Sequence, residues 1–170
     1  MQAPVVYLNA QTERKSGHQA QVSNIMAAKA VADIVRTCLG PKAMLKMLLD
    51  PVGGIVLTND GHAILREIDV AHPAAKLMIE LSRTQDEEVG DGTTSVIILA
   101  GEILAQAFPY VEKSNIHPVV IIQALKQALK DALEIIDEVS KEVDVEDDEA
   151  MIALIKSSIG TKYVAKWLQK

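Results

Sequence analysis

Apolar residues recur along most of the chain at intervals of three and four positions, the spacing that places side chains on one face of an α-helix. The first such stretch runs from about residue 16 to residue 38, and Gly40-Pro41 is expected to end it. Further helices are predicted over 73–89, from Thr93 onward, over 118–140 and around 151–158. The pattern therefore predicts a mainly α-helical protein.

Short β-prone runs stand apart from this helical pattern. Met47–Leu49 and Ile55–Leu57 flank a segment with a proline and two glycines, which predicts a β-hairpin. Val5–Leu8 is a further run of this kind, with no partner strand beside it in the sequence. We expect it to form an N-terminal strand that pairs with a distant segment or with another chain.

The predicted helix after Thr93 is apolar on nearly every side over Val96–Leu104, so it is expected to be central and buried. Aromatic residues make up only 3% of the chain against 49% hydrophobic residues, so the core must be aliphatic and rich in alanine. Cys38 is the only cysteine, which excludes an internal disulfide and a multi-cysteine metal site. A reducing, cytoplasmic location is expected.

Charge and hydropathy exclude two further classes of function. The formal net charge is −6, which argues against a basic nucleic-acid-binding protein. The longest strongly apolar run, Val96–Ala100, is far shorter than a membrane span, and no basic segment precedes a signal-like run at the N-terminus. We therefore expect neither nucleic acid nor a membrane as a partner.

The segment Gly90–Ser95 carries the clearest chemical signal. It is a glycine-flanked turn with three hydroxyl residues that leads into a helix, and unpaired N–H groups at such a start can bind an anion. Asp91 is out of place beside an anion unless a cation lies between them, as Mg²⁺ does in magnesium–nucleotide complexes. The alternative is a simple helix start, capped by Asp91 or Thr93, in which the glycines only form the turn.

Two other segments allow similar alternatives. Gly40 lets a ligand approach the backbone closely, but for this segment taken alone a helix C-cap is the favoured interpretation. Asp60, in the segment Thr58–Gly61, can place a water molecule or reach a metal shell. It can also be the N-cap of a short helix.

Taken together, three segments occur in the order found in group II chaperonins. They are Thr37–Lys42, Thr58–Gly61 and Gly90–Ser95, and the whole chain resembles the N-terminal part of those proteins. Ser82–Glu88 and Leu49–Pro51 also resemble one particular subunit of the eukaryotic cytosolic member of the family.

The resemblance implies a fold and a domain division. Residues 1–143 would form the N-terminal part of an equatorial ATP-binding domain, a helical bundle with a small β-hairpin and an N-terminal strand. Residues 144–170 would begin the intermediate domain. The apical domain and the C-terminal half of the equatorial domain would be absent.

The resemblance also implies roles for individual residues. Asp91 would bind Mg²⁺, and Asp60 would help to place the attacking water. The residues that would hold ATP or ADP are Leu39, Gly40, Pro41, Gly61, Gly92, Thr93, Thr94 and Ser95, with Thr161 and Lys162 approaching from the intermediate domain.

The implied function is that of an ATP-dependent molecular chaperone subunit. Its partners would be other subunits of a hetero-oligomeric double ring, unfolded client proteins that include actin and tubulin, and prefoldin. The intact subunit would be an ATPase, whereas residues 1–170 alone would be inactive. A second hypothesis is a non-catalytic helical interaction module, in which the glycines and aspartates serve only as caps and turns.

Overall fold

The computed structural model describes residues 14–40, 42–49, 53–114 and 116–160. Over these ranges the chain is mainly helical with one antiparallel pair of strands, as predicted. The expected strand at Val5–Leu8 lies outside the described residues. The elements are α1 (Gly17–Arg36), β1 (Lys46–Leu49), β2 (Ile55–Thr58), α2 (Gly61–Arg66), α3 (Pro73–Glu88), α4 (Thr93–Glu112), α5 (Pro118–Val139) and α6 (Asp148–Ile159).

Strands β1 and β2 form the predicted hairpin, with Lys46 opposite Thr58 and Leu49 opposite Ile55. Side chains alternate between the two faces of such a pair. Leu48 is partly buried against the helical core. The opposite face is exposed and apolar, and it carries Met47, Leu49, Ile55 and Leu57.

The core lies between α1, α3 and α4, with the short α2 closing one end. It is aliphatic and alanine-rich, as the composition predicts. The hydroxyl of Ser82 is fully buried within it and has no hydrogen-bond partner in the described part of the chain. The core residues are Ala28, Val31, Ala32, Val35, Cys38, Ile64, Leu65, Ala75, Met78 and Ile97.

A close contact in this core joins α1 and α4 at two small residues. A Cβ atom on Gly101 would collide with the Cβ atom of Ala32, so the two helices approach at a distance that only glycine allows. One turn along α1, the Arg36 guanidinium donates to the Glu102 carboxylate at 2.7 Å. The contact fixes α1 so that its C-terminal end lies beside the first turn of α4.

The Arg36–Glu102 pair also gives this contact a pH dependence. The hydrogen bond from Arg36, followed by one from Gln106, lowers the pKa of Glu102 below its ordinary value. A carboxyl whose pKa is lowered on folding stabilises the fold above its unfolded pKa, and this contribution is lost as the pH falls through the lowered value. Both side chains are about half exposed, so salt screens the pair.

The expectation that α4 is buried on nearly every side is wrong for the described chain. Its Ile97 is fully buried, but Leu99 is 61% exposed and Ile103 is 37% exposed, because α1 and α3 cover only one side of the helix. Helix α5 has no buried residue at all, although its apolar side chains follow a clear stripe. Two helices therefore present apolar faces that the rest of the described chain does not cover.

Length and composition alone would let α4 cross a membrane. It carries Glu102 near its middle, however, in an ion pair with Arg36 of a neighbouring helix. Its Gly101 packs against Ala32 of α1 without room for a side chain. We interpret α4 as a core helix, a type that passes the same test of length and composition.

Gly101→Ala tests the α1–α4 contact, because helix propensity and packing change the free energy of unfolding in opposite directions at this position. Helix propensity alone predicts a gain of about 1 kcal/mol in the free energy of unfolding. The collision with Ala32 predicts a loss of about 1–3 kcal/mol, as in other overpacked cores. Denaturant unfolding of the chain distinguishes the two, with Leu99→Ala on the exposed side as the control of small effect. A more stable Gly101→Ala variant would contradict the close contact.

The uncovered faces of α4 and α5 predict the behaviour of residues 1–170 in isolation. Apolar patches larger than a few hundred Å² are rare on monomers. The isolated chain should therefore self-associate or bind a hydrophobic dye, as measured by light scattering and dye fluorescence. A monomeric chain that melts cooperatively without binding dye would refute this expectation.

Candidate functional site

The N-terminal ends of α2 and α4 are joined by two hydrogen bonds that involve the side chains of the first turn of α4. The Thr93 hydroxyl donates to Asp60 Oδ1 at 3.1 Å. The backbone N–H of Gly61 donates to Thr94 Oγ1 at 2.9 Å, and this bond is buried. Two segments that lie 33 positions apart in the sequence therefore form one unit.

Asp60 has a structural role at this junction. It is the N-cap of α2, and its Oδ2 accepts from the backbone N–H of Ala63 at 2.9 Å. With Oδ1 engaged by Thr93, both carboxylate oxygens have a fixed direction. The capping interpretation of Asp60 is confirmed, and it leaves the same carboxylate on the wall of a cavity described below.

Gly61 is required by the close approach of the two helix starts. A Cβ atom at this position would lie 2.7 Å from Thr94 Oγ1 and 2.9 Å from Thr94 Cα. Real Cβ atoms do not make contacts this short, so any side chain would force α2 and α4 apart. The glycine thus holds the Asp60 segment against the first turn of α4.

The loop before α4 has a backbone shape that suits glycine at two positions. Gly90 and Gly92 both have φ of +75°, in the left-handed region, and exposed Asp91 lies between them. Asp91 Oδ1 accepts from the N–H of Gly92 at 2.7 Å. In the described part of the chain no hydrogen bond reaches its Oδ2, which leaves that oxygen available to a cation.

The interpretation of Asp91 or Thr93 as the cap of α4 is wrong. The N-cap is Gly92, and no side chain caps the first turn. The Thr93 hydroxyl is directed to Asp60 instead. A helix start without a side-chain cap presents N–H groups that can donate hydrogen bonds to an anion.

These segments surround one cavity of about 240 Å³. Gly40, with φ of +99°, lies at one end of it, just after α1. The lining residues come from four segments: Cys38, Leu39 and Gly40; Asn59 and Asp60; Gly90, Asp91, Gly92, Thr93 and Thr94; and Ser157 and Ser158 of α6.

Most of the residues singled out from the sequence meet at this cavity. Gly61 is buried beside it through the bond to Thr94, whereas Ser95 is exposed and does not line it. Pro41, Thr161 and Lys162 lie outside the described residues. The structure brings together Leu39, Gly40, Asp60, Asp91, Gly92, Thr93 and Thr94.

Sequence reasoning missed several lining residues. Asn59 and Gly90 lie within the motif segments Thr58–Gly61 and Gly90–Ser95, so motif position could have indicated them. Cys38 is both buried in the core and at the cavity. Ser157 and Ser158 carry no local signal, since only the return of α6 to this end of the molecule brings them to the wall.

The charge of the cavity restricts what it can bind. Among the described residues, its lining holds two carboxylates and no lysine, arginine or histidine. Asp60 and Asp91 would repel a bare polyphosphate, whereas an anion paired with a divalent cation fits this charge. No group of three or more histidine, cysteine, aspartate or glutamate side chains that could hold a metal occurs in the described part. A cation here would therefore take further oxygens from its ligand or from water.

A larger groove of about 500 Å³ runs between α1 and α4 and contains none of the predicted site residues. Its charged side chains, which include Asp33, Arg36 and Glu102, form ion pairs with one another. We therefore assign the candidate site to the smaller cavity.

Comparison with known proteins identifies the family of this chain. Residues 31–170 match the TCP-1/cpn60 chaperonin family. The chain is 77% identical over 170 residues to T-complex protein 1 subunit gamma of Saccharomyces cerevisiae, which covers all of this chain and 32% of that protein. The gamma subunit of Schizosaccharomyces pombe is 69% identical, over 98% of this chain and 31% of the relative. The human gamma subunit is 59% identical, over 96% of this chain and 30% of the relative.

The chain thus spans about a third of the length of these curated relatives. The subunit that Ser82–Glu88 and Leu49–Pro51 resemble is the gamma subunit, and these relatives confirm that resemblance. The match to the family model extends over all three motif segments and the cavity that they surround. The chain therefore belongs to the TCP-1/cpn60 chaperonin family.

Proposed function

We propose that this chain supplies the ATP-binding part of a chaperonin subunit, and that the intact subunit binds and hydrolyses MgATP to drive protein folding. The observation that carries the proposal is the single cavity at which Gly40, Asp60 and the Gly90–Thr94 segment meet. Family membership supports it, because the motifs that form the cavity are those of the chaperonin resemblance.

In this proposal the chain binds the phosphates through its backbone and hydroxyl groups. The uncapped start of α4 offers N–H groups to phosphate oxygens. Thr94 accepts from Gly61 and keeps its own hydroxyl proton as a donor, whereas the Thr93 proton is directed to Asp60. Leu39 and Gly40 form the opposite wall. Thr161 and Lys162 would approach from the intermediate domain.

The two carboxylates would have different tasks. Asp91 has an oxygen available and would hold Mg²⁺, which neutralises phosphate charge when bound. Asp60 is fixed by Ala63 and Thr93, so it would orient the attacking water without changing its own position. Neither task requires a third acidic residue from the described part of the chain.

The wider context is proposed on the same basis. Residues 1–143 would belong to the equatorial domain and residues 144–170 to the start of the intermediate domain. The subunit would act in the cytoplasm, in a hetero-oligomeric double ring with other chaperonin subunits. Its clients would be unfolded proteins, including actin and tubulin, delivered in part by prefoldin.

Asp91→Asn in the intact subunit tests the role of the cation. The amide oxygen can still accept the Gly92 N–H, so the loop is kept while the charge is lost. We expect MgATP affinity to fall roughly 10- to 100-fold, the effect of a lost charged contact. The affinity for metal-free ATP should not fall, because the substitution removes a carboxylate that repels the bare polyphosphate. Calorimetric titration with both ligands measures the difference. An equal loss of affinity for MgATP and for metal-free ATP would show that Asp91 does not bind the cation.

Asp60→Asn separates turnover from binding. The asparagine oxygen can still accept from Ala63, whereas alanine would also cost about 1 kcal/mol of capping stability. We expect normal MgATP affinity and a single-turnover hydrolysis rate about 100-fold lower. Asp33→Asn, an exposed carboxylate on α1, is the control that should leave both unchanged. An unaltered single-turnover rate would exclude Asp60 from the reaction.

A further inference from the structure

Two consecutive side chains near the C-terminal end of α3 reach two different loops of the candidate site. Gln85 Nε2 donates to the backbone carbonyl of Asp91 at 2.9 Å. Asp86 Oδ2 lies 2.9 Å from His62 Nδ1. An ionised carboxylate can only accept, so the Nδ1 atom of His62 carries the proton in this contact. Neither residue lines the cavity itself.

Gln85 holds the loop before α4 in two ways. Its backbone carbonyl accepts from the N–H groups of Val89 and Gly90, at 3.0 and 3.2 Å, and its side chain holds the carbonyl of Asp91. Glycines on both sides of Asp91 give this loop little stiffness of its own. The Gln85 amide therefore limits rotation of the peptide unit that directs the Asp91 carboxylate.

Asp86 acts on the other loop through His62. His62 is the second residue of α2 and is separated from Asp60 only by Gly61, which is itself bonded to Thr94. The contact with Asp86 ties the first turn of α2 to α3. The segment that carries Asp60 is thereby linked to α4 through Thr93 and to α3 through His62.

Helix α3 provides a firm base for both contacts. Its Ala75, Met78 and Ser82 are buried in the core against α1, α2 and α4. Successive helical residues point about 100° apart, so neighbouring side chains can reach separate loops. The other polar residues of this stretch face solvent and pair locally, as Arg83 does with Glu87.

We propose that Gln85 and Asp86 are positioning residues, Gln85 for Asp91 and Asp86 for Asp60. The inference rests on the proposed function, in which Asp91 holds Mg²⁺ and Asp60 orients water. It assigns separate effects to two adjacent residues of one helix. Loss of Gln85 should alter the dependence on Mg²⁺, and loss of Asp86 should alter turnover.

The test uses Gln85→Met, which keeps the length of the side chain but cannot donate, and Asp86→Ala in the intact subunit. Thr84→Ala and Glu80→Ala are matched controls on the exposed face of the same helix. For Gln85→Met we expect the half-saturating Mg²⁺ concentration for ATP binding to rise about tenfold, with metal-free ATP binding unchanged. For Asp86→Ala we expect single-turnover hydrolysis to slow about tenfold at unchanged MgATP affinity.

A conservative variant separates positioning from general damage to the fold. Asp86→Asn still presents an oxygen to His62, so it should recover most of the turnover that Asp86→Ala loses. Hydrogen exchange without nucleotide supplies a readout that does not depend on ATP. Amides of Asp91 and Gly92 should exchange faster in Gln85→Met than in Thr84→Ala, with the core of α3 unchanged.

The outcomes distinguish the two proposals. If wild-type protein binds MgATP but Gln85→Met and Asp86→Ala match their controls, the positioning roles are wrong and the proposed function stands. The separate roles would also be wrong if Gln85→Met and Asp86→Ala each changed both the Mg²⁺ dependence and the turnover to the same extent. If wild-type protein binds no MgATP, the proposed function fails, and with it the roles assigned here. Faster loop exchange in Gln85→Met would then show only that Gln85 holds the loop.

Discussion

The contact between α1 and α4 is the constraint on which the rest of the described structure depends. Two small residues, Gly101 and Ala32, let the helices approach until a single additional methyl group would not fit. That approach places the end of α1, with Leu39 and Gly40, beside the first turn of α4. If the helices were farther apart, Leu39 and Gly40 would no longer line one cavity with the first turn of α4.

At the cavity, the same side chains stabilise the helix starts and form the candidate site. Asp60 caps α2 and bonds Thr93, while Thr94 accepts the N–H of Gly61. Interpretations of these residues as caps or as site residues are therefore not exclusive, because a capped carboxylate has the fixed direction that orienting a water requires. Asp91 differs, since it caps nothing and lies exposed between two left-handed glycines.

Helices α4 and α5 carry apolar faces that the rest of the described chain does not cover. They belong to a chain that spans about a third of the length of its curated relatives. The core that the chain forms by itself is centred on α1, α3 and the inner side of α4. The candidate site lies at one end of this core and draws only Ser157 and Ser158 from α6. The packing of the described chain thus organises the candidate site.

The sequence by itself determined the helices, the hairpin and the loops, because periodicity and turn chemistry act over a few residues. Pro73 and Pro118 begin the helices predicted over 73–89 and 118–140, and of the alternatives for Asp60 the N-cap is confirmed. Local pattern could not decide whether Gly40, Asp60 and Asp91 meet, and only the family resemblance grouped them. Tertiary structure decided the rest: the absence of a side-chain cap on α4, the exposure of Leu99, and the contacts of Gln85 and Asp86. The bonds that join α2 to α4 span 33 positions, and such contacts depend on how helices pack, which no short-range spacing encodes.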